Sequence, residues 1–164
     1  MPSSFHIKEI IYKIHTSKIS ENGGFCTFIP LDKNKGLKLY GNRSYAEKCY
    51  RTQNKFLKLN LAPKIYSSVF EIPYLFLEWN DDKYLEHLDH LKKFGYITQI
   101  AKTKFRKSKY DIQLNKIRRI LKKKKMRLDD LVGENNRDIV WDNLGLINDK
   151  LVIIDFDPCT IYDM

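Results

Sequence analysis

Residues from about Ile7 to Leu39 fall into short apolar runs, broken by turn chemistry at Asn22-Gly23-Gly24 and at Asp32-Lys33-Asn34-Lys35-Gly36. Runs bounded in this way predict short strands. From Ser44, a residue suited to capping a helix, apolar or semi-apolar side chains recur at Ala46, Cys49, Tyr50, Gln53, Phe56 and Leu57. That spacing traces one face of a helix. The helix is expected to stop before Ala62-Pro63, because the residue ahead of a proline disfavours helical backbone.

Two apolar, aromatic runs follow, Lys64 to Phe70 and Tyr74 to Trp79, separated by Glu71-Ile72-Pro73. They predict an antiparallel hairpin. Helices are expected over Asp82 to Phe94 and over Tyr110 to Lys125, the second with Ile112 or Gln113, Ile117, Ile120, Leu121 and Lys124 near one face. Near the end, Leu144 to Ile147 and Leu151 to Ile154 flank Asn148-Asp149-Lys150, which predicts a tight hairpin. Strands, helix, strands, helices and hairpin in that order make the fold class α+β.

At 164 residues the chain is long enough for one good core and short for two independent ones. A single domain over 1–164 is expected, in two lobes sharing a cleft, about 1–80 and about 81–164. With 43% hydrophobic and 13% aromatic residues, the excess of lysine decorates a folded body and does not signal disorder. Met1 to Ser20 has no apolar leader and no stretch is long enough to span a bilayer. A soluble cytoplasmic protein without a membrane partner is therefore expected. Cys26, Cys49 and Cys159 stand singly, which suits a reducing compartment and small buried side chains better than a disulfide framework. His87 and His90 alone have helical spacing and nothing completes a zinc set.

The candidate chemistry is concentrated near the C-terminus. Asp138 and Asn143, within Asn136-Arg137-Asp138-Ile139-Val140-Trp141-Asp142-Asn143, have four residues between them. This resembles the spacing of the kinase catalytic loop, where an Asp and an Asn of one loop reach a common phosphate and metal centre. Asp155, in Asp155-Phe156-Asp157 at the end of the following hairpin, can enter the same centre, and carboxylate and amide oxygens suit Mg²⁺. The pair also fits a plain capped loop, so the order of parts upstream matters. Lys38 lies in a strand after a glycine turn, Glu47 follows on the first helix where it could hold that lysine by charge, and Glu78-Trp79-Asn80 closes an apolar strand.

In that order the residues resemble the protein-kinase-like superfamily, especially its compact, divergent members in bacteria and their viruses. The likeness covers roughly residues 15 to 164 by element order, with motif matches at five short places. It implies a truncated kinase-like fold: an antiparallel N-terminal sheet, one bracing helix and a reduced helical C-terminal lobe. It implies ATP and Mg²⁺ as cofactors, with Lys38 on the phosphates, Glu47 orienting Lys38, Asn143 and Asp155 on the metal, and Asp138 as catalytic base. Gly23 and Gly24 would be what remains of the glycine-rich loop, and Glu78 would belong to the hinge that receives adenine. For a viral source the compartment would be the host cytoplasm.

Departures are visible too. Asn136 stands where the family has His, and Asp157 where Asp-Phe-Gly has glycine. Met164 comes nine residues after Asp155, so no activation segment or peptide-binding platform is expected. Two function classes follow: a phosphotransferase acting on a hydroxyl acceptor, and an inactive pseudokinase that binds a host protein or nucleic acid. The net charge of +10 and the basic stretch from Lys102 to Arg127 bear on the second, with Lys122, Lys123, Lys124 and Lys125 as the candidate polyanion contact. A solvated helix face explains the same lysines, and Phe105 and Tyr110 are too few for a single-strand stacking groove.

Overall fold

A computed structural model describes residues 26–72, 94–128, 141–156 and 161–163. Among them the chain is α+β, with antiparallel strand pairing and two α-helices. It divides into two compact units, whose described parts are residues 26–50 with 64–72 and 94–100, and residues 51–63 with 101–128, 141–156 and 161–163.

The first unit is built on a sheet. Strand β1 (Thr27–Pro30) turns into β2 (Lys35–Tyr40) at Asp32, whose carboxylate accepts hydrogen bonds from the backbone N–H groups of Asn34 and Lys35 at 2.7 and 2.8 Å. This carboxylate supplies the turn, and Gly36 serves a different purpose. Gly36 lies inside β2, where an added Cβ would sit 2.1 Å from the ring of Phe28. The remaining strands are β3 (Phe70–Glu71) and β4 (Phe94–Gln99), and the order across the sheet is β1-β2-β4-β3.

Two expectations change here. The described partner of Phe70 and Glu71 is β4, through Phe70↔Gly95 and Glu71↔Phe94; the expected partner run Tyr74 to Trp79 falls at 74–79, outside the described residues. Phe94 opens a strand and does not close a helix. The run Phe-Gly-Tyr-Ile-Thr-Gln carries apolar or half-apolar side chains on both faces, as suits a strand flanked by neighbours on either side. Gly95 is required there because a Cβ would come within 2.2 Å of the carbonyl oxygen of Lys38.

Helix α1 (Arg43–Leu57) begins two positions earlier than a cap at Ser44 would place it. Asn42 is the cap: its side-chain oxygen accepts from the N–H of Tyr45 at 3.2 Å and its carbonyl from that of Ala46 at 3.0 Å. The helix ends as Asn60 turns to φ 57, with Leu61 N–H donating to the Phe56 carbonyl at 3.0 Å. A left-handed residue closing a helix in this way satisfies its last carbonyls. Residues up to Tyr50 belong to the first unit, where Ala46 and Cys49 pack on Tyr40 and Tyr96. Cys49 is buried and forms no disulfide.

The second unit has a core of Phe56, Leu114, Ile117, Leu121, Leu144, Ile153 and Phe156, among others. Helix α2 (Asp111–Lys123), led by a 3₁₀ turn at Lys107–Tyr110, buries Leu114, Ile117 and Leu121. Ile117 and Leu121 are buried as expected, whereas Ile112 is 72% exposed and Lys124 is exposed, and Leu114 completes the buried face instead. Strand β5 (Met126–Leu128) pairs with β8 (Ile161–Asp163), a long-range pairing without a local signal. Strands β6 (Leu144–Ile147) and β7 (Lys150–Ile153) form the expected hairpin. Its loop is Asn148 and Asp149 alone, at φ 49 and φ 64, a two-residue turn whose twist matches the strands. The Tyr110 hydroxyl donates to the Asp149 carboxylate, and Gln113 Nε2 donates to the Asp149 carbonyl at 3.3 Å, which ties the turn to α2.

Candidate functional site

Lys38 occupies the middle of β2, with Phe28 of β1 and Tyr96 of β4 as its cross-strand partners. Alternation along β2 puts Lys38 on the face of Tyr40 and leaves Leu37 and Leu39 on the other. That is the face α1 covers, since Tyr40 and Tyr96 pack on Ala46 and Cys49. The lysine is 8% exposed, and its Nζ lies 6.0 Å from the centre of the Tyr96 ring. A cation over an aromatic face keeps part of its electrostatic stabilisation when water is removed.

Glu47 stands on the flank of the same helix, half-buried, one turn before Tyr50. Tyr50 meets the Tyr96 ring edge-on, with centroids 5.5 Å apart. Glu47 is thus on the helix row that leads to the aromatic under Lys38. Tyr96 itself is the residue the sequence reading missed. Its signal was the alternation of Phe94, Tyr96 and Thr98, which the expectation of a helix ending at Phe94 concealed. Burial raises the Tyr40 hydroxyl well above the usual tyrosine range, helped by Cys26, Tyr96 and Cys49, so this hydroxyl stays neutral.

In the second unit the hairpin joins two candidates that are far apart in sequence. Leu144 pairs with Ile153, and one step beyond the strand pairing the Ile154 N–H donates to the Asn143 carbonyl at 2.9 Å. Asn143 and Asp155 therefore flank the open end of the hairpin, opposite its turn. Asn143 is buried and Asp155 half-buried. Gly145 keeps the hairpin close to the 101–102 segment, since a Cβ would meet that of Ala101 at 2.8 Å. Trp141, two residues before Asn143, is a core residue whose ring meets Phe105 at 6.1 Å between centroids. Asp142 between them is exposed.

Asn143 and Asp155 offer an amide oxygen and a carboxylate, both hard donors. Among the described residues no group of three or more His, Cys, Asp or Glu could hold a metal ion by itself. A two-residue oxygen set fits Mg²⁺, which usually keeps waters and shares its shell with substrate phosphates. Of the other candidates, Gly23, Gly24, Glu78 and Asp138 lie outside the described residues. Lys122 to Lys125 are exposed at the C-terminal end of α2 and in the turn that follows, where Lys125 has φ 55. Cations there complement the negative end of the helix dipole. No described helix is long and apolar enough to cross a membrane. Comparison with family models, curated proteins and solved structures finds no match.

Proposed function

We propose that the protein is a small kinase-like phosphotransferase that binds ATP with Mg²⁺ and moves the γ-phosphoryl group to a hydroxyl acceptor. The observation that carries this reading is the adjacency of Asn143 and Asp155 at the open end of the β6–β7 hairpin. A loop Asn and an Asp beyond a hairpin are the two metal-holding groups of a kinase centre. The buried strand lysine, on the sheet face covered by the Glu47 helix, supports it from the other unit.

In this reading Lys38 neutralises charge on the nucleotide phosphates, and Glu47 keeps the ammonium aimed at them. Asn143 and Asp155 hold Mg²⁺, which when bound draws off charge from the phosphate oxygens. Asp138 accepts the proton of the acceptor hydroxyl as the new phosphate ester forms and ADP departs. Catalysis of this kind is mostly positioning and charge stabilisation, so few residues suffice.

Calorimetry with ATP at millimolar concentration tests the metal assignment. Wild type should release heat that vanishes with EDTA, and Asp155→Ala should lose it. Absence of binding by wild type, or MgATP binding by Asp155→Ala as tight as wild type, would refute the assignment.

A further inference from the structure

Outside these residues, the second unit contains a cavity of about 350 Å³ between the 102–110 segment and the β6–β7 turn. Lys102, Arg106, Lys109, Phe105, Leu146 and Asp149 are among the residues that line it. Parts of its backbone wall are held by hydrogen bonds. Lys102 and Leu146 exchange a reciprocal pair of backbone hydrogen bonds, each 2.8 Å. Asp149 is tied to the 3₁₀ turn by Tyr110, and the Leu151 N–H of β7 donates to Gln113 Oε1 of α2 at 2.8 Å. A site built from such fixed parts needs little ordering when a ligand arrives.

The charge of this cavity is one-sided. The Asp149 carboxylate already has the Tyr110 hydroxyl and, at 3.9 Å, the Lys109 ammonium. Among the described residues, Lys102 and Arg106 have no carboxylate partner within ion-pair distance. Lys104 and Lys107 extend the row, so that five of the eight residues from 102 to 109 are exposed cations. Charge spread along a strip suits a chain of anionic groups better than one compact phosphate. Nucleic acid is the poorer fit, because Phe105 has its ring engaged by Tyr110 at 5.4 Å and Trp141 at 6.1 Å. Base stacking needs a free ring face.

We propose that this cavity is a docking site for an acidic peptide segment of a partner protein. One apolar side chain of the peptide enters against Phe105 and Leu146, and flanking carboxylates face Lys102 and Arg106. An apolar anchor inside a charged rim is the usual division between affinity and orientation at an interface. The cavity volume, at the low end for ligand pockets, suits one large side chain. The proposal goes beyond phosphoryl transfer and holds whether or not the protein turns over ATP.

The probe is a fluorescein-labelled peptide of about twelve residues with one central Leu between runs of Asp and Glu, titrated with full-length protein by anisotropy at low salt. Saturable binding is expected, roughly 10-fold weaker for the double variant Lys102→Glu, Arg106→Glu. The double variant Lys33→Glu, Lys58→Glu makes the same charge change at exposed positions elsewhere and should stay within about 2-fold. A peptide with Lys in the flanks should bind the Lys102→Glu, Arg106→Glu protein better than wild type, which also shows that this variant is folded. On wild type, replacing the central Leu by Ser should weaken binding several-fold. Equal losses in both double variants, equal binding of an Asn/Gln-flanked peptide, or tighter binding of labelled oligothymidine of the same length would overturn the proposal.

Discussion

Two single residues show how closely the first unit is fitted around Lys38. Gly95 lets β4 approach β2, and an added methyl would press on the Lys38 carbonyl, which as backbone cannot rotate aside. Gly95→Ala should therefore cost stability near the upper end of the roughly 1–3 kcal/mol typical of overpacking, read as a lower urea midpoint. An unchanged midpoint would mean the strands separate more easily than the register implies. Tyr40 gives a test in pH. Burial first, then Cys26, Tyr96 and Cys49, raise its hydroxyl above the ordinary value. Folding with a raised value favours the neutral hydroxyl, so the contribution is complete below about pH 10 and fades as pH rises toward the folded-state value. Thermal melts from pH 8 upward should show stability falling above about pH 10, with a shallower fall in Tyr40→Phe. Tyr110, raised mainly by its hydrogen bond to Asp149, titrates in the same direction, so the fall in the variant should be reduced and not abolished.

At the scale of elements, legibility followed the distance over which each signal acts. Helix α1, helix α2 and the β6–β7 hairpin have local signatures, and each was readable to within a few residues. The turn dipeptide Asn148-Asp149 even fixes the register that pairs Leu144 with Ile153 and sets Asn143 beside Ile154, the residue before Asp155. Strand β4 was missed because its reason for being a strand lies elsewhere: it fills the space between β2 and β3, and Gly95 in its own sequence argues against strand. The β5–β8 pairing is invisible for the same reason. Lys38 could be assigned to a strand from its neighbours, whereas the ring beneath it comes from a residue 58 positions later, counted from Lys38 to Tyr96. The end of α2 carries its own prediction. If Lys122 to Lys125 engage a polyanion, duplex DNA binding should fall roughly 10²-fold between 50 and 200 mM salt, given a slope near 0.9 per phosphate contacted. Changing all four to Glu should weaken that binding and leave MgATP affinity intact. No binding by wild type at low salt would return these lysines to a solvated helix end.

For the whole molecule, the open choice is between turnover and binding alone, and Asp138 separates them. It stands five positions before Asn143 in the sequence, close enough in the chain to share the centre proposed for Asn143 and Asp155. A base need only meet the acceptor hydroxyl in the reacting complex, so it contributes little to holding nucleotide. Asp138→Asn keeps the size of the side chain and removes its charge. MgATP affinity measured by calorimetry should hold, while transfer of labelled γ-phosphate drops by roughly 10²-fold or more, the scale of losing a general base. Cell extract supplies candidate acceptors in the labelling reaction, and generic peptides should be poor substrates. Equal labelling by wild type and Asp138→Asn would remove Asp138 from the chemistry. A wild type that binds MgATP and transfers nothing, with extract present, would instead make the fold a nucleotide-holding binding module, whose work is done by its surfaces.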